Sequence, residues 1–170
     1  MAVTISGSDG GAAVTTATQK VVKTAYFETG TFATTTAQIP FDATIPQITE
    51  GAEVMTLAYT PLNANNILRI TVNIQSNNEV QDRVTIAALF VGTTANALAA
   101  ALLAMDSSVH RNISFNSFTH EVVAGGTSEL TFRVRLGASA SGTTKFNGQY
   151  SSVNLGGVIP SSIGIMELTP

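Results

Sequence analysis

The chain contains no cysteine and no tryptophan, and its 170 residues include only 8 basic and 11 acidic side chains. Without cysteine there is no disulfide, no thiolate-bound zinc, no iron–sulfur cluster and no thiol nucleophile. The lack says nothing of compartment, because a cysteine-free chain is indifferent to redox. The few Lys and Arg are scattered, so no basic stripe exists for a phosphate backbone and no nucleic-acid partner is expected. No apolar run approaches the roughly 20 residues of a membrane span, so no membrane insertion is expected. Met1-Ala2-Val3-Thr4 lacks a charged n-region and a long apolar h-region, so no secretory signal is visible.

Charged residues are 11% of the chain, under half the usual quarter or so, while apolar residues are an ordinary 44%. In place of charge there are 24 Thr and 14 Ser. Charges keep monomers apart. Hydroxyls and amides hydrate adequately yet tolerate another polar face. The composition therefore points away from a typical enzyme and towards extensive burial against copies of the same chain.

Residues 1–19 hold one charge, three glycines and no aromatic. Such a segment cannot close a core by itself and reads as disordered or, the favoured reading, as an extended arm that orders on a partner. From Lys20 the texture turns to β-type patterns, first at Val21, Val22, Ala25, Tyr26 and Phe27, then at 34–39. Pro40 and Pro46 each push the preceding residue into extended backbone, so 40–52 reads as an ordered loop.

Short strands follow at close spacing. In 67–75, Leu68, Ile70, Val72 and Ile74 alternate with Arg69, Thr71, Asn73 and Gln75, the period of a half-buried strand. The run 83–91 is more continuously apolar, as in a strand covered on both faces. Asn96–Met105 is rich in Ala and Leu and predicts a short helix or an irregular loop. In 109–118, Ile113 and Phe115 alternate with polar neighbours, and a further short strand covers 120–123. Ala124-Gly-Gly-Thr127 signals a hairpin turn. In 129–136, Leu130, Phe132, Val134 and Leu136 point in, and Thr131, Arg133 and Arg135 point out. Strands at 145–150 and 162–168 complete nine or ten. The fold class is all-β, a jelly-roll-like antiparallel β-sandwich.

Little in the chain suggests catalysis. Gly137-Ala-Ser139-Ala-Ser-Gly142 misses the nucleophile-elbow spacing by one position and lacks its strand-to-helix context. Paired carboxylates for glycan cleavage would come from Asp9, Asp42, Asp82, Asp106 and seven Glu, none clustered. His110 and His120 do not form a local metal pair. No catalytic, cofactor or metal site is expected. Asn112-Ile-Ser114 matches a glycosylation sequon, a pattern short enough to arise by chance. Arg133 and Arg135 share one strand face and are the candidates for contact with an acidic surface ligand.

Several stretches together resemble the virion proteins of tailed phages described as tail-fibre or minor structural components. They are Gln38-Ile-Pro-Phe-Asp-Ala-Thr-Ile-Pro-Gln47, Thr49-Glu-Gly-Ala-Glu-Val-Met-Thr-Leu-Ala58, Asn65-Asn-Ile-Leu-Arg-Ile70 and Ile86-Ala-Ala-Leu-Phe90. In the second half they are Phe132-Arg-Val-Arg-Leu-Gly137, Phe146-Asn-Gly148, Leu155-Gly-Gly157 and Ser161-Ser-Ile-Gly-Ile-Met-Glu167. The resemblance covers 38–170 and implies a trimeric jelly-roll knob. Residues 1–37 then become an arm that anchors the knob to other virion proteins, with Val3, Ile5, Val14 and Val21 as the anchoring residues. The expected partners are two further copies of the chain, other virion structural proteins, and a host-surface glycan or protein. The expected location is the particle surface. The arm is short for a complete tail fibre, so a capsid decoration or head-fibre protein is the alternative reading. A glycan-degrading tailspike is a third.

Overall fold

The computed structural model describes residues 19–79, 83–103, 114–149 and 151–170. Two antiparallel sheets face each other. The first contains β1 (Val21–Thr29), β2 (Ala33–Thr35), β4 (Ile67–Asn78), β7 (Ser114–Val123), β9 (Thr144–Phe146) and β12 (Ser161–Leu168). Its order is β1-β12-β4, after which β4 pairs with β7 along most of its length and with β9 at its end, and β2 follows β9. The second sheet contains β3 (Ala52–Tyr59), β8 (Leu130–Ala138), β5 (Thr85–Val91) and β6 (Ala99–Leu103), in that order. A small hairpin joins β10 (Gly148–Gln149) to β11 (Ser152–Val153) and leads into a 3-10 turn at Leu155–Gly157. The chain crosses repeatedly from one sheet to the other, as a jelly-roll-like sandwich requires.

The alternation read from the sequence decides which side of each strand is buried. Leu68, Ile70, Val72 and Ile74 of β4 are fully buried, as are Phe132, Val134 and Leu136 of β8. They meet Ile163 and Ile165 of β12 and Ala87 and Leu89 of β5 in the main core. β5 is buried on its other face too. There Ile86, Ala88 and Phe90 pack with Ile39 and Val84, with Ile48 and Ala97 at the margin. The Pro-punctuated loop thus lies across the outer face of the four-stranded sheet. Its N-terminal end is tied by Ile39 N–H to Ala138 O at 2.9 Å and its far end by Ile48 N–H to Ala95 O at 2.8 Å.

The structure corrects or completes the sequence reading at three places. Residues 99–103, expected as helix or loop, form β6, paired from Thr85↔Leu103 to Leu89↔Ala99. Five residues gain little as a helix, whereas as a strand they satisfy the free edge of a fully buried neighbour. Residues 104 and 105 lie outside the described residues. In β7 it is Phe118, His120 and Val122 that turn inward, while Phe115 lies on the outer face, 57% exposed. The register against β4 decides this: Phe118 stands opposite Val72 and Phe115 opposite Gln75. Finally, residues 21–29 and 33–35 of the expected arm are sheet strands, β1 against β12 and β2 against β9.

Candidate interaction surfaces

The sandwich has two ends of different character. At one end, Lys20 and Thr169 exchange backbone and side-chain hydrogen bonds. The 60–66 link and the 124–126 turn share this end, joined by Ala124 N–H to Asn66 O at 2.9 Å. The described chain begins at this end, at Gln19. The loops 30–32 and 139–143 and the segments 147–149 and 151–160 lie at the opposite end.

The first end is held by a buried carboxylate. Glu167 continues the inward line of Ile163 and Ile165 and is fully buried. It accepts from Tyr59 Oη at 2.7 Å, Asn66 Nδ2 at 2.7 Å, Leu62 N–H at 2.8 Å and Asn63 N–H at 3.2 Å. Burial pushes this carboxyl up, but the hydrogen bonds from Tyr59, Asn66, Leu62 and Asn63 outweigh it and hold it below the usual glutamate value. Tyr59 is pushed up in turn, by its own burial and by the Glu167 charge. Lys23 donates to Thr60 O and lies over the Tyr59 ring.

The opposite end carries an apolar tip. Leu155, Gly156 and Gly157 all have positive φ, at 45°, 68° and 84°. For leucine this is a strained conformation. Leu155 is 75% exposed and Val158 77%. The turn is pressed close to the end of β1: a Cβ on Gly30 would lie 2.3 Å from Gly157 O.

Arg133 and Arg135 stand on the outer side of the four-stranded sheet, as expected, but their donors are directed to their own chain. Arg133 pairs with Glu53 at 2.9 Å and donates to Gly92 O at 3.2 Å. Arg135 donates to Glu50 O at 2.7 Å and Gly51 O at 2.8 Å. Burial, the largest single influence on the Glu53 carboxyl, raises it, but Thr56 and the two guanidiniums together leave it below its ordinary value. The pair therefore pins the 50–53 turn.

Of the anchoring residues, Val21 begins β1 opposite Leu168 and is exposed. Val3, Ile5 and Val14 lie outside the described residues, as do His110, Asp9, Asp82, Asp106 and Asn112. Ser139 Oγ accepts from Val84 N–H at 3.2 Å in an ordinary turn. Asp42 caps its own loop through Thr44, whose hydroxyl and N–H lower its carboxyl. Among the described residues no three acidic or imidazole groups converge on a point.

A further surface was not singled out from the sequence: the outer face of the six-stranded sheet. Strand register arranges it in rows. Thr24, Met166, Arg69 and Glu121 form one, Tyr26, Gly164, Thr71 and Thr119 the next, and Glu28, Ser162, Asn73 and Ser117 a third. Arg69 pairs with Glu121, Thr71 bonds Thr119 at 3.1 Å, and Tyr26 Oη donates to Glu28 at 2.9 Å. Parity with the buried residues of β4 is the signal that identifies this face.

No family model matches the chain, and no curated protein matches it. Solved structures are similar in fold. Eiger TNF from S. frugiperda aligns with a TM-score of 0.50 and 14% identity, over 88% of this chain and 94% of that one. The C-terminal domain of EclA, a sugar-binding protein, gives a TM-score of 0.38 and 13% identity over 82% and 86%. An infectious bursal disease virus structure (Gt strain) gives 0.41 and 11%, over 88% of this chain and 39% of that one. At such identities the likeness to the TNF structure shows the fold alone, a jelly-roll-like β-sandwich.

Proposed function

We propose that this chain is a non-enzymatic structural protein of a tailed-phage virion. In this reading it forms a homotrimeric knob on the particle surface, held by its N-terminal segment and used for adhesion to a host-surface glycan or protein. The observation that carries the reading is the polarity of the sandwich. The described chain begins at the end where Lys20 meets Thr169, and the apolar Leu155 tip lies at the other. A domain tethered at one end and bearing loops at the other presents those loops outward. The phage-like stretches over 38–170, the sandwich fold and the low charge support the same reading.

Labelled electron microscopy of the particle tests it. Label on tail fibres, with adsorption blocked by the purified protein, is the expected result. Label on the capsid with adsorption unaffected replaces adhesion with a decoration role. No label on the particle refutes the virion reading. Removal of residues 1–19 is expected to leave a folded protein that no longer joins the particle, and normal incorporation refutes the anchor.

A further inference from the structure

The outer faces of the two sheets are finished differently. That of the four-stranded sheet is closed by Ile39, Ile48 and Ala97 over Ile86, Ala88 and Phe90. On that of the six-stranded sheet no second core cluster forms among the described residues, and large rings stand free: Tyr26 is 63% exposed and Phe115 57%. We infer that this face, which the described residues leave uncovered and which is centred on Tyr26, Thr71 and Thr119, is the surface through which copies of the chain assemble. The inference rests on the self-association proposed above and adds its location.

Three properties of the face select a second copy of this chain as the occupant. The first is charge. Under rotational symmetry, residues near the axis meet their own copies, so an unneutralised charge there meets its like. The one cation in the three rows, Arg69, is already neutralised by Glu121 of the same chain, and the remaining carboxylate, Glu28, lies outside the central row and accepts from Tyr26 Oη. The central row, Tyr26, Gly164, Thr71 and Thr119, is uncharged, and every member tolerates meeting itself.

The second property is relief. A depression of about 210 Å³ lies between Thr24, Tyr26, Arg69, Thr71, Gly164 and Met166. Gly164 contributes to it by having no side chain. The projecting Tyr26 and Phe115 rings are on the same face. One surface thus carries both projections and a recess, which is what a self-complementary fit requires.

The third property is size. Four strands about 4.8 Å apart and eight residues long at about 3.3 Å each span about 500 Å² in flat projection. Side-chain relief brings this towards the roughly 800 Å² per partner of a standard stable interface. Ser, Thr and aromatic groups supply that area with little side-chain entropy to lose.

The test uses the full chain and sedimentation analysis across micromolar concentrations. Wild type is expected at a multimer mass, Thr119→Arg at the monomer mass with an unchanged circular dichroism spectrum, and Ala58→Arg at the multimer mass. Ala58 is the control because it is exposed on the outer side of the other sheet. A second measurement covers a misfolded Thr119→Arg. The chain has no cysteine, so Thr119→Cys and Ala58→Cys each introduce a unique thiol. In the assembled protein the first is expected to alkylate at least about tenfold more slowly. If Thr119→Arg stays multimeric, or both thiols react alike, the assignment of the face is overturned while self-association stands. A wild type that is monomeric throughout overturns both.

Discussion

Replacing Glu167 by Gln isolates the contribution of one buried charge. The substitution keeps the shape and removes the charge, and it turns one acceptor into a donor. Four donors converge on the carboxylate within 2.7–3.2 Å. One oxygen takes three of them, from Leu62, Asn63 and Asn66, and the other is left to Tyr59 with a longer share of Leu62 N–H at 3.0 Å. The amide nitrogen would therefore settle beside Tyr59, whose hydroxyl can rotate to accept. A hydrogen bond to a charged group contributes about 1.5–3 kcal/mol and one between neutral groups about 0.5–1.5. Weakening four by about 1 kcal/mol each, less the smaller cost of burying an amide, gives about 3 kcal/mol. In a chain of this size that lowers the thermal midpoint by about 6–12 °C.

The assay is thermal unfolding at one fixed protein concentration, repeated over a pH series. The folded state holds the Glu167 proton less tightly than the unfolded chain does, because its carboxyl is lowered. Its stabilisation is thus complete above the ordinary glutamate range and is lost as pH falls through the lowered folded value. The gap between wild type and Glu167→Gln should be widest near neutral pH and close below about pH 4. A gap that does not change with pH, or a midpoint within about 1 °C of wild type at neutral pH, refutes the claim that a charge holds this end together.

Three more outcomes follow from the same contacts. Ile39→Ala empties the centre of the second core and should cost about 2–5 kcal/mol in urea unfolding; a loss under about 1 kcal/mol would mean the loop only rests on the sheet. Leu155→Gly relieves a left-handed leucine at about 1–2 kcal/mol and adds about 0.5–1 kcal/mol of chain entropy cost. It should therefore leave the thermal midpoint unchanged or raise it, and a clear drop would show that the tip packs against something. Assembly through the uncharged central row predicts a multimer mass that persists to about 1 M salt, where surface ion pairs are screened; dissociation in salt would point to a charged interface.

The sequence was most readable where one face of a strand is buried and the other is not. β4 and β8 show this, because a period of two in a half-buried strand leaves one register to choose. It was least readable where pairing overrides composition. Ala99–Leu103 has helix-forming residues, yet the open edge of β5 was available to it. The alternation of Phe115 with polar neighbours did not say which face it takes, and its outward position follows from partners some 40 residues earlier in the chain. The outward aim of Arg133 and Arg135 was legible, but their attachment to Glu53 and to the carbonyls of Glu50 and Gly51 joins segments 80 or more residues apart. Glu167 did carry a local signal. It shares parity with Ile163 and Ile165, so an acidic group on that line had to be buried and had to find donors.

That last case alters what the shortage of charge means. The described charged groups are used largely to fasten this chain to itself. Glu167 and Lys23 hold the 60–66 link, Arg133, Arg135 and Glu53 hold the 50–53 turn, and Lys145 pairs with Glu79 at the end of β4. Each cluster sits where a connection leaves a sheet, a place where irregular backbone needs partners that strands cannot supply. With so few charges, and these mostly committed to connections, the broad outer face of the six-stranded sheet is left largely to Thr, Ser, Tyr and Phe, with one internally neutralised pair and Glu28, which accepts from Tyr26. Solubility alone would favour the reverse arrangement, with charge spread over the widest exposed surface. The distribution is the one expected of a subunit whose widest face is covered in the assembled state and whose connections must hold their shape before assembly.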